Sequence, residues 1–155
     1  RGISSEVPLF LKKSIEVTMS CKHKTKQLTV GSREGEVDLG NYDLIKELWN
    51  ADLSTTHDCE SEPTQGKTSI VFRSSNDAEL FLTIVNSGDD DNHRTLTERA
   101  TRSGMDNKEP WALNLGVFPS DQNSRSEVDI NLCVQILIPK SDYDDVLNLM
   151  RDFNS

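Results

Sequence analysis

Between residues 128 and 138 the chain alternates: Val128, Ile130, Leu132, Val134, Ile136 and Ile138 are separated by Asp129, Asn131, Cys133, Gln135 and Leu137. A period of two is what a β-strand needs to send one face into a core and the other, here mostly polar, toward water. Pro139 ends the run. Ser141 then stands as the cap of a terminal helix, with Asp144 three residues on as its capping-box partner. Val146, Leu147, Met150 and Phe153 form the stripe that such a helix buries. A strand buried on one face requires neighbours beside it and helices over it, so the rest of the chain has to supply both.

It does so in alternation. Residues 15–21, Ile-Glu-Val-Thr-Met-Ser-Cys, carry the same period of two, and Gln27-Leu28-Thr29-Val30 before Gly31 predicts a partner strand across the basic turn "KHKTK" at 22–26. Asn41 caps a predicted helix in which Leu44, Ile45, Leu48 and Trp49 fall on one face. Pro63 and Gly66 mark a turn, Ser69-Ile70-Val71-Phe72 reads as a strand, and Asn76 or Asp77 caps a second helix buried through Leu80, Phe81, Ile84 and Val85. Residues 86–110 turn polar and predict a solvated insertion. Residues 111–118 then form a strand. The stretches "SIVFRSSNDAELFLTIV" and "CVQILIPKSDYDDVLNLM" repeat the order strand, cap, amphipathic helix, an order common enough to arise without any internal duplication. Together these elements predict an α+β domain over residues 1–155: a single mixed or mainly antiparallel sheet with about three helices on one face.

Composition narrows the function. Asp and Glu outnumber Lys and Arg 26 to 17, a formal charge of -9, which repels phosphate backbones and argues against nucleic acid. Three widely spaced cysteines, Cys21, Cys59 and Cys133, leave one unpaired in any disulfide scheme and point to a reducing compartment. No apolar run is long enough to cross a membrane, and the first residues hold no signal-peptide core, so a cytoplasmic location is expected.

The densest chemistry lies in "STTHDCE" at 54–60, in the predicted loop after the first helix. Cys21-Lys22-His23 and His57-Asp58-Cys59 are mirror-image pairs that could offer a Cys₂His₂ zinc set, although paired zinc ligands are usually two to four residues apart. Cys59 with His57 could also form a nucleophilic thiolate, opposed by the like charges of Asp58 and Glu60. The structural alternative is a buried cysteine acting as a small hydrophobe. "TQGKTS" at 64–69 lacks the first glycine of a phosphate-binding loop, since Ser61 stands there, and leads into a strand instead of a helix. "GDDDNH" at 88–93 lacks the later glutamate of a calcium loop and reads as a solvated charge run. If the basic turn neighbours the loop after helix one, Lys22, His23, Lys24, Thr55, Thr56, His57, Cys59 and Lys67 line one cation-rich patch. The plainer reading of that turn is a hairpin tip kept soluble by lysines.

The set Asp43-Leu44-Ile45, Leu48-Trp49, Thr55, Cys59-Glu60, Ile70-Val71-Phe72, Ala78 and Leu82 resembles a small domain of uncharacterised bacterial proteins, in which a helix ending in Leu-Trp leads through a threonine loop to Cys-Gln/Glu and an apolar strand. That resemblance implies no activity. The same region is also similar to the wybutosine-synthesis methyltransferase-like domain. His57-Asp58-Cys59-Glu60-Ser61 lacks that domain's glycine and preceding serine, so the likeness stops short of tRNA or S-adenosylmethionine binding. The sequence therefore predicts a non-catalytic binding module, without a cofactor, for a partner protein or an anionic small ligand at the loop after helix one. The alternative is a zinc-binding or Cys-dependent enzyme domain using Cys21, His23, His57 and Cys59.

Overall fold

The computed structural model describes residues 24–59, 66–87, 96, 98, 100, 109–119 and 130–155. Within them the order strand, strand, helix occurs three times. The first unit is β1 (Thr25–Val30), β2 (Arg33–Asp38) and α1 (Tyr42–Asn50). The second is β3 (Thr55–Cys59), β4 (Lys67–Phe72) and α2 (Ser75–Val85), and the third β5 (Ala112–Pro119), β6 (Ile130–Pro139) and α3 (Tyr143–Asn154). The strands of each unit pair antiparallel with each other. β4 and β6 also pair antiparallel, which fuses the second and third units into one sheet of order β3-β4-β6-β5. The α+β class is as predicted, but the sheet is not single: β1 and β2 form a separate two-stranded ribbon, whose buried residues Leu28 and Val37 belong to the core shared with α1.

That ribbon holds a pairing the sequence reading did not include. The predicted partner strand at 15–21 lies outside the described residues, while β1, opened by the last two residues of "KHKTK", pairs with β2. Val30 faces Arg33 across a two-residue turn in which Gly31 has φ +58°, the left-handed region glycine enters without steric cost. β2 escaped the sequence reading because "REGEVD" buries only Val37 and Asp38, so no period-two apolar signal exists.

The helices form where their stripes predict. Leu44, Ile45 and Leu48 of α1 are buried, as are Phe81, Ile84 and Val85 of α2, but Leu80, expected in that stripe, is 41% exposed and Ala78 is buried instead. The caps shift. Ser74, not Asn76 or Asp77, caps α2, its Oγ accepting the Asp77 amide at 3.1 Å. Asp142, not Ser141, is the residue before α3, at the end of a three-residue 3₁₀ turn. Val146, Leu147 and Met150 are buried as expected, with Leu149 beside them, but Phe153 is 52% exposed. α2 lies on β4 and β6, α3 packs against α2 and α1, and α1 lies on the ribbon. Ile70, Phe72, Val134, Ile136 and Ile138 meet the helices in one core. At its centre the Phe72 and Phe81 rings are 5.2 Å apart, and Phe81 and Trp111 6.4 Å apart. Within the polar stretch expected at 86–110, Leu96, Glu98 and Ala100 are helical, and Leu96 is buried in this core.

The opposite face of the sheet is not the wet surface predicted for β6. Cys133 and Leu137 are each 4% exposed, and Val71 is buried beside them on β4. The polar groups of that face satisfy one another across three strands: Asn114 donates to Gln135 at 3.0 Å, and Gln135 donates to Ser69 at 2.8 Å.

The junctions β2–α1 and β6–α3 have nearly the same backbone. Asp38 has φ, ψ of -58°, 135° and Pro139 -56°, 140°; Asn41 has -104°, -2° and Asp142 -102°, -6°. This is a different repeat from the one suggested by the sequence, which aligned β4–α2 with β6–α3. The β4–α2 junction has no 3₁₀ turn.

Candidate functional site

Of the predicted patch, the side chains of Lys24, Thr55, Thr56 and Lys67 are described, and these do not form one cluster. Cys21, Lys22 and His23 lie outside the described residues. Lys24 is exposed at the start of the ribbon, its carbonyl accepting the Leu39 amide at 2.9 Å. The Lys26 ammonium sits 4.6 Å from the ring centre of Tyr42, the first residue of α1. Thr55 is at the other end of that helix, where its hydroxyl accepts the Trp49 indole N–H at 3.0 Å. Nine residues of α-helix span roughly 13 Å, so Lys24 and Thr55 do not meet.

The stretch expected as a loop is an edge strand. Residues 55–59 form β3, with His57, Asp58 and Cys59 opposite Val71, Ile70 and Ser69. The side chains of His57 and Cys59 lie outside the described residues. Thr56 donates its hydroxyl to the Val71 carbonyl at 3.3 Å. Lys67 is buried at the start of β4, with its ammonium 3.8 Å from the Glu109 carboxylate. Thr55 faces Phe72 at the opposite end of β4, so Lys67 and Thr55 are about 17 Å apart along the ladder. Thr55, Thr56 and Lys67 are thus each held in internal contacts. Among the described residues no group of three or more His, Cys, Asp or Glu side chains gathers to hold a metal ion. Cys133 is buried, and burial pushes its thiol pKa up, which keeps it protonated and unreactive.

A different feature stands out: a groove of about 690 Å³ between α2 and β5. One wall is α2 itself. Ser75, Ala78, Glu79, Leu82, Thr83 and Asn86 fall at i, i+3, i+4, i+7, i+8 and i+11, a continuous stripe down the whole helix. The floor is Leu113, Leu115 and Val134. Leu113 is 48% exposed and Leu115 79% exposed, although successive strand positions two apart share a face and Val134, opposite Leu115, is in the core. The apolar face of β5 therefore continues beyond the edge of the helix layer. The sequence shows Leu113 and Leu115 as ordinary alternating strand residues, and only the lateral position of α2 reveals them as uncovered.

The groove is electrostatically one-sided. Among the described residues Glu79 lines it and no Lys or Arg does. At the C-terminal end of α2 the last turn holds no basic residue, so the helix itself offers no cation to the negative end of its dipole. Asn86 lines this end too, and its Oδ1 is shielded from solvent without a donor. Rotation toward an incoming N–H group would relieve that cost. Among the described residues that line it, Ser75, Thr83 and Ser87 supply hydroxyls, Glu79 a carboxylate, and the leucines the apolar floor.

Among the described residues no helix is long and apolar enough to cross a membrane. No protein-family model, curated protein or solved structure matches the chain.

Proposed function

We propose that the chain is a non-catalytic binding module whose ligand is a partner protein, taken up at the groove between α2 and β5. The observation that carries this reading is the exposure of Leu115, 79%, next to Leu113 on a strand whose neighbours are in the core. Leaving Leu115 in water forfeits most of the roughly 1.5–3 kcal/mol of a buried leucine and leaving Leu113 half-exposed about half of it, and contiguous apolar surface rimmed by polar groups is the usual form of an interaction site. The occupant is an apolar segment bearing Lys or Arg, because the groove offers Glu79, the open end of α2 and the Asn86 acceptor, and the chain carries a charge of -9.

Panning a random displayed-peptide library against the whole chain tests the reading. Enriched sequences should combine large apolar residues with Lys or Arg, and Leu115→Asp should weaken their binding by about 2 kcal/mol or more, as for a central contact. Recovery of no binders, or of binders indifferent to Leu115→Asp, would overturn it. Leu115 is on the surface, so the substitution itself should move folding stability by only about 0.5 kcal/mol.

A further inference from the structure

The ribbon β1–β2 shows what the bare face of β5 lacks. The matching junctions put Asp38 in the place of Pro139, and hence Glu36 in the place of Leu137. Glu36 pairs with Gln27, and Leu137 pairs with Ala112. Leu28 and Val30 therefore correspond to Leu113 and Leu115. In the first unit these positions are covered: α1 lies on β1, Leu28 is 2% exposed, and Val30 packs against the core. In the third unit α3, the counterpart of α1, is packed on α1 and α2 instead. Among the described elements, no helix packs on β5 as α1 packs on β1.

The shape of the groove agrees with a helix. Its wall runs the length of α2, 11 residues or roughly 16 Å, and not along the edge of β5. Ser75, Ala78 and Thr83 are short side chains, which let a second helix lie close to α2 on the sheet at the usual 8–10 Å axial spacing. An extended peptide added to the edge of β5 would lie in the plane of the sheet and leave Leu115 uncovered.

We infer that the groove is the docking site for an amphipathic helix of a partner protein, with a basic residue at the end that meets Asn86 and the C-terminus of α2. This rests on the protein-binding reading above and adds the conformation and polarity of the ligand.

Two displayed libraries of equal composition separate the possibilities. One places its apolar residues at i, i+3, i+4 and i+7, the other at alternating positions, and both fill the remaining sites with Lys, Arg and Gln. The helical pattern should yield binders at least about tenfold tighter than the alternating one. Their far-ultraviolet circular dichroism should gain helix on binding, and Leu115→Asp and Glu79→Lys should both weaken them, the second less at high salt. Alternating peptides that bind as well, and still depend on Leu115, would overturn the helix and leave the binding module standing. Binding by either library that ignores Leu115→Asp would overturn both. Dimerisation of the chain abolished by Leu115→Asp would assign the face to a second copy and overturn the partner helix.

Discussion

Asn41 and Asp142 occupy equivalent positions, are both fully buried, and are treated in opposite ways by the fold. Asp142 accepts the Trp111 indole N–H at 2.7 Å, while neither Nδ2 nor Oδ1 of Asn41 has a partner. Asp142→Ala, which strands a buried indole donor and opens a cavity, should cost about 3 kcal/mol in a denaturant titration. Asn41→Leu should instead raise stability by about 1 kcal/mol, because it removes two unpaired polar atoms and no side-chain cap bond. A loss of similar size would show that a hidden group serves the amide. Tyr143, the residue after Asp142, has its pKa pushed up to about 12, first by burial and then by Asp43 and Asp144, against the backbone bond from Leu44. The folded chain thus favours the neutral phenol, and this contribution to stability is complete below about pH 10 and lost as pH rises through about 12. Absorbance titration of phenolate should show a component near 12 that Tyr143→Phe removes. The sequence marked Asn41 as a cap and put Ser141 where Asp142 stands. The burial of Asn41 and Asp142 was not legible, since nothing in a Ser/Asx cap pattern distinguishes a solvated cap from one sealed under a neighbouring strand.

At the scale of elements, the stripe-forming residues were legible and the boundaries were not. Leu44, Ile45 and Leu48, or Phe81, Ile84 and Val85, recur at helical spacing whatever surrounds them, so α1 and α2 could be read directly. The cap of α2 could not, because Ser74, Asn76 and Asp77 all have the right chemistry and only the extended backbone of Ser74 makes it the cap. Ser74→Ala should cost about 1 kcal/mol, measured by thermal or chemical unfolding, whereas Asn76→Ala should be nearly neutral. β2 left no trace because it buries one valine, and its pairing is imposed by a turn instead of a pattern. Gly31→Ala tests that turn. Nothing lies within 4 Å of an added Cβ, so a loss of about 1 kcal/mol would come from the positive φ alone.

On the scale of the whole molecule, three strand-strand-helix units share one core but are not equally covered. The sequence showed the helices and the strands β4, β5 and β6 but not β2 or β3, and it could not supply the lateral offsets, which put α2 over β4 and β6, drew α3 toward α1, and left Leu113 and Leu115 exposed. The same offsets separated Lys24, Thr55 and Lys67, which the chain order alone allowed to converge. The account therefore stands on one contrast between equivalent positions. Leu115→Cys and Val30→Cys or Leu28→Cys in the whole chain can be exposed to maleimide and followed by mass spectrometry of the labelled peptides. Cysteine at 115 should react at nearly the rate of a free thiol, and cysteine at 28 only through unfolding, several orders of magnitude more slowly. Equal protection at 115 and 28 would mean that the face of β5 is already covered, and would contradict the exposure on which the binding function depends.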